Sequence, residues 1–264
     1  MLTRPGYDGA MVLALPFSPV IGTVLALTAI ERFAKPVRSD WWINLQAWLL
    51  LVFTGIAIHP PFELPAWPAL VDARALPFWI GFPAFLVITD LGEYLFHRAQ
   101  HRIPLLWAMH SLHHSDPDMS AMTTQRHYWA DPLIKKLTIW AAAGLILAPT
   151  PEIAGATALA SLWSFFTHSR LPLDIGRWSW LINTPAYHRR HHSSLPEHYD
   201  SNFAAIFPVF DVICGSYNRP DGFPPTGLAR APRNIAELIA WPLYYSQTDD
   251  VPAEAPSIPA AIKA

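Results

Sequence analysis

The sequence predicts an all-α fold: a polytopic membrane helix bundle of about four transmembrane helices, with a cytoplasmic histidine-rich helical cap. Two observations predict it. Of 264 residues, 52% are hydrophobic and only 14% charged, against roughly 25% charged in an average soluble domain. The chain therefore lacks the polar surface to wrap a water-soluble globule of its size. Apolar stretches of about 20 residues, long enough to cross a bilayer as helices, also recur along it. The net charge of −2 and the dispersed Lys and Arg argue against a nucleic-acid surface, which needs concentrated positive charge to neutralise phosphates. Cys214 is the single cysteine, so no disulfide forms within the chain.

The first span is expected over about residues 11–30. Pro16 and Pro19 lie inside it, and basic rather than small residues follow it, which separates it from a cleaved signal peptide. The second, 41–58, opens with Trp41 and Trp42, a pair suited to a membrane interface. The third, 76–96, stays apolar until Asp90 and Glu93 and leaves the membrane at His97. A fourth passage combines 133–148 and 153–166 across a tight hairpin at Pro149-Thr150-Pro151, and Lys135 and Lys136 make its first half short and half-buried. Arg32, Lys35 and Arg38 lie between the first two spans, and Arg74 alone lies between the next two. Arg98, Arg102, Arg126, Lys135 and Lys136 follow the third. This alternation places the N-terminus outside and the cap, 97–132 and 168–217, on the cytoplasmic face. Residues 1–246 read as a single membrane-embedded domain, and 247–264, rich in Pro and Ala, as a disordered tail.

Eleven of the twelve histidines lie between 97 and 198. They gather as His97-Arg-Ala-Gln-His101, His110-Ser-Leu-His113-His114 and His188-Arg-Arg-His191-His192, with His168 between the last two. Helix residues three and four apart share a face, so His97 and His101 point the same way. His110, His113 and His114 fan widely enough to serve two ions. A titrating interfacial surface would have no need of this repeated spacing. His59 and His198, each isolated, read as surface or satisfied core residues, and His127 stands between ligand, supporting donor and structural residue. Neutral imidazole suits Fe, Zn, Cu or Ni. The histidines are too many for one structural zinc, and the chain has neither the His-Glu-x-x-His pattern nor a Glu-x-x-His pair. An all-histidine pair of ions remains.

These clusters resemble the three histidine boxes of the fatty acid hydroxylase and sterol desaturase superfamily of integral-membrane di-iron oxygenases. The likeness runs from about Asp90 to Tyr217. It includes Tyr94 ahead of the first box, Trp107 opening the second, Arg126-His127, Thr184-Pro185 before His188, Asn202-Phe203, and Asp211 with Gly215-Ser216-Tyr217. Three positions depart from it. Arg170 follows His168-Ser169 where many relatives have Asn, Ala204 replaces a Gly after Asn-Phe, and Ser164 occupies the place of a further histidine found in some lipid hydroxylases. A water can stand in for that ligand.

The resemblance implies a catalytic domain with metal ligands His97, His101, His110, His113, His114, His168, His188, His191 and His192. Supporting positions around them would be Asp90, Glu93, His127 and Asn202, the two carboxylates accepting ring N–H groups. The implied cofactors are two Fe ions, with Zn as a substitute in purified protein, and O2 is the co-substrate. The implied activity is hydroxylation or desaturation of an unactivated C–H bond in a lipid, whether sterol, fatty acyl or related. The sequence has no Gly-rich dinucleotide loop and suggests no haem or flavin site. Electrons would come from a donor such as cytochrome b5 or a ferredoxin with its reductase. Arg98, Arg102, Arg189 and Arg190 could form its docking face, or serve as positive-inside anchors. The partners expected are thus the lipid substrate, the membrane and that donor, with no nucleic acid, in a bacterial inner membrane or the endoplasmic reticulum. The alternative is a histidine-rich membrane metal transporter or sensor without oxidase activity, whose histidines should line a path through the bilayer. A scaffold that has lost catalysis is a third reading.

Overall fold

The computed structural model describes residues 22, 26–31, 40–58 and 68–245. The predicted first span, except for part of its end, and the tail 247–264 lie outside the described residues. The chain is mostly helical.

Helix α1, Trp41–Ile58, coincides with the second predicted span. Trp42, Leu49, Phe53 and Ile56 fall on one exposed face, while Ile43 and Ala47 pack against Leu112, Leu238 and Trp241. Helix α2, Phe78–Arg102, begins two residues after the start of the third predicted span and runs six residues beyond its end. Its 25 residues rise about 37 Å, more than the roughly 30 Å of bilayer hydrocarbon, so its histidines lie on the final turns. Trp79, Val87, Leu91 and Leu95 are exposed along it, and Phe85, Leu86 and Tyr94 are buried. Ile103 then adopts an extended conformation and Pro104 starts α3, Pro104–His114. A residue before proline is driven out of the helical region, and proline itself suits a first helical position. The break folds α3 back beside α2.

The segment 133–148 does not form the helix expected of it. Instead α4, Asp131–Lys135, passes into a π-helical turn, Lys136–Trp140, then α5, Ala141–Ile146, and a short strand β2, Leu147–Ala148. That strand pairs in parallel with β1, Val71–Asp72. The Thr138 hydroxyl donates to the Ile134 carbonyl at 2.6 Å, a back-bond that competes with regular helix geometry. Helix α6, Pro151–Thr167, starts at a Thr150 cap and packs on α2. Two glycines make the close packing on α2 possible. A Cβ at Gly81 would meet Ile153 Cδ1 at 2.6 Å, and one at Gly92 would meet Ile139 Cγ2 at 2.7 Å. Among the described residues α2 alone is both long and apolar enough to cross a membrane; α1 and the second half of α6 are apolar but shorter.

The remaining helices are short: α7, Pro185–His191; α8, Val209–Cys214; α9, Ile235–Ile239; and α10, Trp241–Tyr244. Of the last two, α10 covers α3 and α9 packs on α1. Trp241 Nε1 donates to Ser111 Oγ at 2.9 Å, and Trp107 Nε1 to the Tyr245 hydroxyl at 2.6 Å.

Candidate metal centre

Four helices deliver histidines from their C-terminal ends: α2 gives His97 and His101, α3 gives His110, His113 and His114, α6 is capped by His168, and α7 gives His188, His191 and His192. Helix C-termini carry partial negative charge, so their convergence favours a cation. Local capping sets the ring positions. Thr184 caps α7 by accepting from Tyr187 N, with Pro185 at the first helical position.

The rings fall into two groups, within each of which the ligand atoms lie within 4.8 Å of one another. One contains His97, His101, His110, His114 and His191; the other contains His113, His168, His188 and His192. Each H-x-x-H-H box serves both. Its first and last histidines, four residues apart, join one group, and the middle one joins the other. His110 and His114 thus separate from His113, and His188 and His192 from His191. Helical spacing puts residues i and i+4 about 40° apart and turns i+3 to the other side. The groups touch where His114 stacks on His192, ring centroids 4.3 Å apart.

The ring orientations fit bound metal. His97 Nδ1 lies 2.8 Å from the Phe203 carbonyl, His191 Nδ1 2.7 Å from that of Ser201, and His168 Nδ1 2.7 Å from that of Ser164. A carbonyl only accepts, so Nδ1 donates and Nε2 keeps its lone pair. Nε2 of His97, His114, His191 and His192 is buried without a hydrogen-bond partner. His168 Nε2 stands 3.0 Å from His113 Nε2 and 2.9 Å from His188 Nε2. Nitrogens each about 2.1 Å from one ion, at right angles, would be about 3.0 Å apart. Burial, reinforced by the neighbouring rings, holds His110, His113, His114, His188, His191 and His192 well below the usual imidazole pKa. It pushes His168 down to about 3. The rings are therefore neutral, the form a metal requires.

The supporting residues differ from expectation. Asp90 does not take a ring N–H; its carboxylate accepts from Ile206 N and Phe207 N, both at 2.9 Å. Glu93 instead takes Lys135 Nζ at 2.7 Å. Both carboxylates lie on α2, and neighbouring backbone or lysine meets them before any imidazole does. Asn202 has φ 61°. It donates to the Tyr187 and Asn218 carbonyls and accepts from Asn218 N, bracing the chain rather than a ring. His127 stacks on His113 at 4.2 Å. His198 is satisfied by Ser193 Oγ at 2.8 Å, and His59 lies outside the described residues. The proposed docking arginines are largely occupied. Arg189 donates to the Pro224 and Met119 carbonyls, Arg190 pairs with Asn218 and Asp221, and Arg98 donates to the Tyr94 hydroxyl.

Several residues of the site were not singled out as supports by sequence reasoning. Asp211 accepts from Phe203 N and Ala204 N at 2.9 Å, Ser216 Oγ at 2.7 Å and the Tyr187 hydroxyl at 2.5 Å. Asp211 and Asp90 therefore grip 203–207 from two sides and fix the carbonyl that orients His97. Arg126, fully buried, donates to Asn44 Oδ1 and Ser115 Oγ beside Asp116. Glu31 accepts from Ala121 N and Arg170 N, tying the chain after the second box to that after His168. The Arg126–Asn44 and Glu31 contacts span more than 80 positions in sequence, and no local pattern announces them.

A model of the fatty acid hydroxylase family matches residues 82–216, just over half of the chain and all nine grouped histidines. The chain belongs to the fatty acid hydroxylase family. Its curated relatives carry lipid-hydroxylating names. It is 32% identical over 139 residues to alkylglycerol monooxygenase of Xenopus tropicalis, covering 53% of this chain and 30% of that protein. It is 30% identical over 141 residues to the Homo sapiens alkylglycerol monooxygenase, covering 53% of this chain and 31% of that one. It is 29% identical over 223 residues to an ornithine lipid hydroxylase of Rhizobium tropici, covering 77% of this chain and 67% of the relative. The chain thus spans under a third of the alkylglycerol monooxygenases it matches. No solved structure matches this fatty acid hydroxylase chain.

Proposed function

We propose that this chain is a membrane-bound non-haem di-iron oxidoreductase that hydroxylates an unactivated C–H bond in the acyl or alkyl chain of a lipid. The observation that carries this reading is the division of nine imidazoles, seven of them buried and two half-buried, into two groups, each a ligand set for one ion. His97, His101, His114 and His191 would hold one ion, with His110 beside them, and His113, His168, His188 and His192 the other. Iron bound there would supply activation of O2. The overall reaction takes one O2, two electrons and two protons, and yields the alcohol and water.

The chain's own residues hold, orient and shield. The carbonyls of Phe203, Ser201 and Ser164 fix ring tautomers, and the tight ring packing keeps bulk water from the donor nitrogens. The exposed apolar face of α2 leads toward His97, which supports approach of a lipid chain sideways from the bilayer. In this reading the spans are 11–30, 41–58, 76–96 and the pair 133–148/153–166, the broken first half of that pair entering without crossing. The histidines face the cytoplasm. The names of the relatives favour hydroxylation over desaturation and a lipid bearing a polar headgroup over a sterol. Electrons come from a separate donor such as cytochrome b5 or a ferredoxin.

Lipid mass spectrometry tests the proposal. A host expressing the chain under isotopically heavy dioxygen should accumulate a lipid carrying one heavy oxygen, and the His191→Ala variant should not. Loss of two hydrogens without oxygen would make it a desaturase. Metal uptake into vesicles without O2 consumption would make it a transporter.

A further inference from the structure

Next to the two imidazole groups lies a third set of donors, His110, His127 and Asp131, whose ligand atoms also fall within 4.8 Å of one another. Asp131 opens α4 and is 2% exposed, yet neither carboxylate oxygen has a hydrogen-bond partner. An ionised carboxylate removed from water and left unpaired is costly, so such groups are paired or coordinate metal. The nearby ammonium of Lys135 is taken by Glu93 at 2.7 Å. His127 Nδ1 stands 3.4 Å from Asp131 Oδ2 and is likewise buried without a hydrogen bond. His110 is 2% exposed with both ring nitrogens unpartnered. It is also the member the first group can spare, since four imidazoles remain there without it, as many as in the second.

We propose that His110, His127 and Asp131 form a third cation site, distinct in chemistry from the all-imidazole groups. Two imidazoles and one carboxylate, with the remaining positions open to water, suit a divalent transition ion such as Fe(II) or Zn(II) rather than Mg or Ca. The His127 side chain is 22% exposed, whereas the rings of the second group are all buried. With one carboxylate and two imidazoles against four imidazoles in each neighbouring group, an ion here has fewer protein ligands and exchanges faster than the other two. The inference rests on the reading of the neighbouring groups as metal sites, because His110 is shared.

Metal counting on the purified full-length chain, loaded anaerobically with excess Zn(II) or Fe(II), tests it. The wild type should hold three ions per chain, one of them lost first to a chelator. Asp131→Asn should hold two and lose the fast phase, and Asp131→His, which restores a ligand, should recover it. Should Asp131→Asn lose its helical circular dichroism, His127→Asn provides the same comparison and should also hold two ions. Two ions in the wild type, or an unchanged count and fast phase in a folded Asp131→Asn or His127→Asn, overturns the third site and leaves the dinuclear reading standing. Failure of that reading looks different: His113→Ala and His191→Ala would both keep every ion.

Discussion

His97 Nδ1 donates to the carbonyl oxygen of Phe203 at 2.8 Å, across 106 residues of sequence. That carbonyl is held in place because Asp211 accepts from Phe203 N and Ala204 N, and Asp90 accepts from Ile206 N and Phe207 N. Two buried carboxylates therefore aim an imidazole without touching it.

The first prediction concerns this chain of contacts. Asp211→Ala leaves four donors unpaired, which should cost about 3–5 kcal/mol. By freeing the Phe203 carbonyl it should also weaken metal binding about 10- to 100-fold. Thermal unfolding and chelator competition read the two effects separately. A destabilised variant with unaltered affinity would show that Asp211 does not act through His97.

The division of each H-x-x-H-H box makes a second prediction. His191→Ala removes a ligand from the first group, and His188→Ala removes one from the second. Each should abolish product, but they should empty different sites. Two variants with the same residual metal spectrum would contradict the division.

Arg126 gives the third. It is fully buried between Asn44, Ser115 and Asp116, and Arg126→Met strands Asp116 beside the second box. Removing one partner of a buried pair typically costs about 3–5 kcal/mol. Unfolding in detergent should show a loss of that size, and a shift under about 1 kcal/mol would mean the network contributes little.

Acid sensitivity is the fourth. The buried rings titrate well below 6.5 in the folded chain, His168 at about 3, whereas unfolded histidines take up protons near 6.5. Below about pH 6.5 the unfolded state binds more protons, so stability present above that pH is lost as pH falls toward 3. Metal-free protein should melt lower at about pH 5 than at about pH 7.5. Equal melting temperatures would mean that the rings are not buried neutral.

Spacing made the ligand candidates legible, because i, i+3 and i+4 positions are what a helix end can aim at a common point. All nine fall into the two groups. Which histidine serves which group was hidden, since that depends on how α3 and α7 face each other. The helices over 41–58 and 78–102 were legible from apolar length. The break within 133–148 was not, because its cause is a π turn and a strand pairing with residues some 76 positions earlier. Asp90 was visible as an unusual carboxylate in an apolar segment, but its backbone partners come from 206–207. Asp131 carries no signal in the sequence; what marks it is a pair of buried oxygens without a hydrogen bond.

The central claim is that the two imidazole groups each hold a metal ion. An anomalous-scattering map of the iron-loaded protein tests it most directly. The account predicts one peak among the rings of His97, His101, His114 and His191, and another among those of His113, His168, His188 and His192. Full iron occupancy with no peak inside either ring cluster would contradict it.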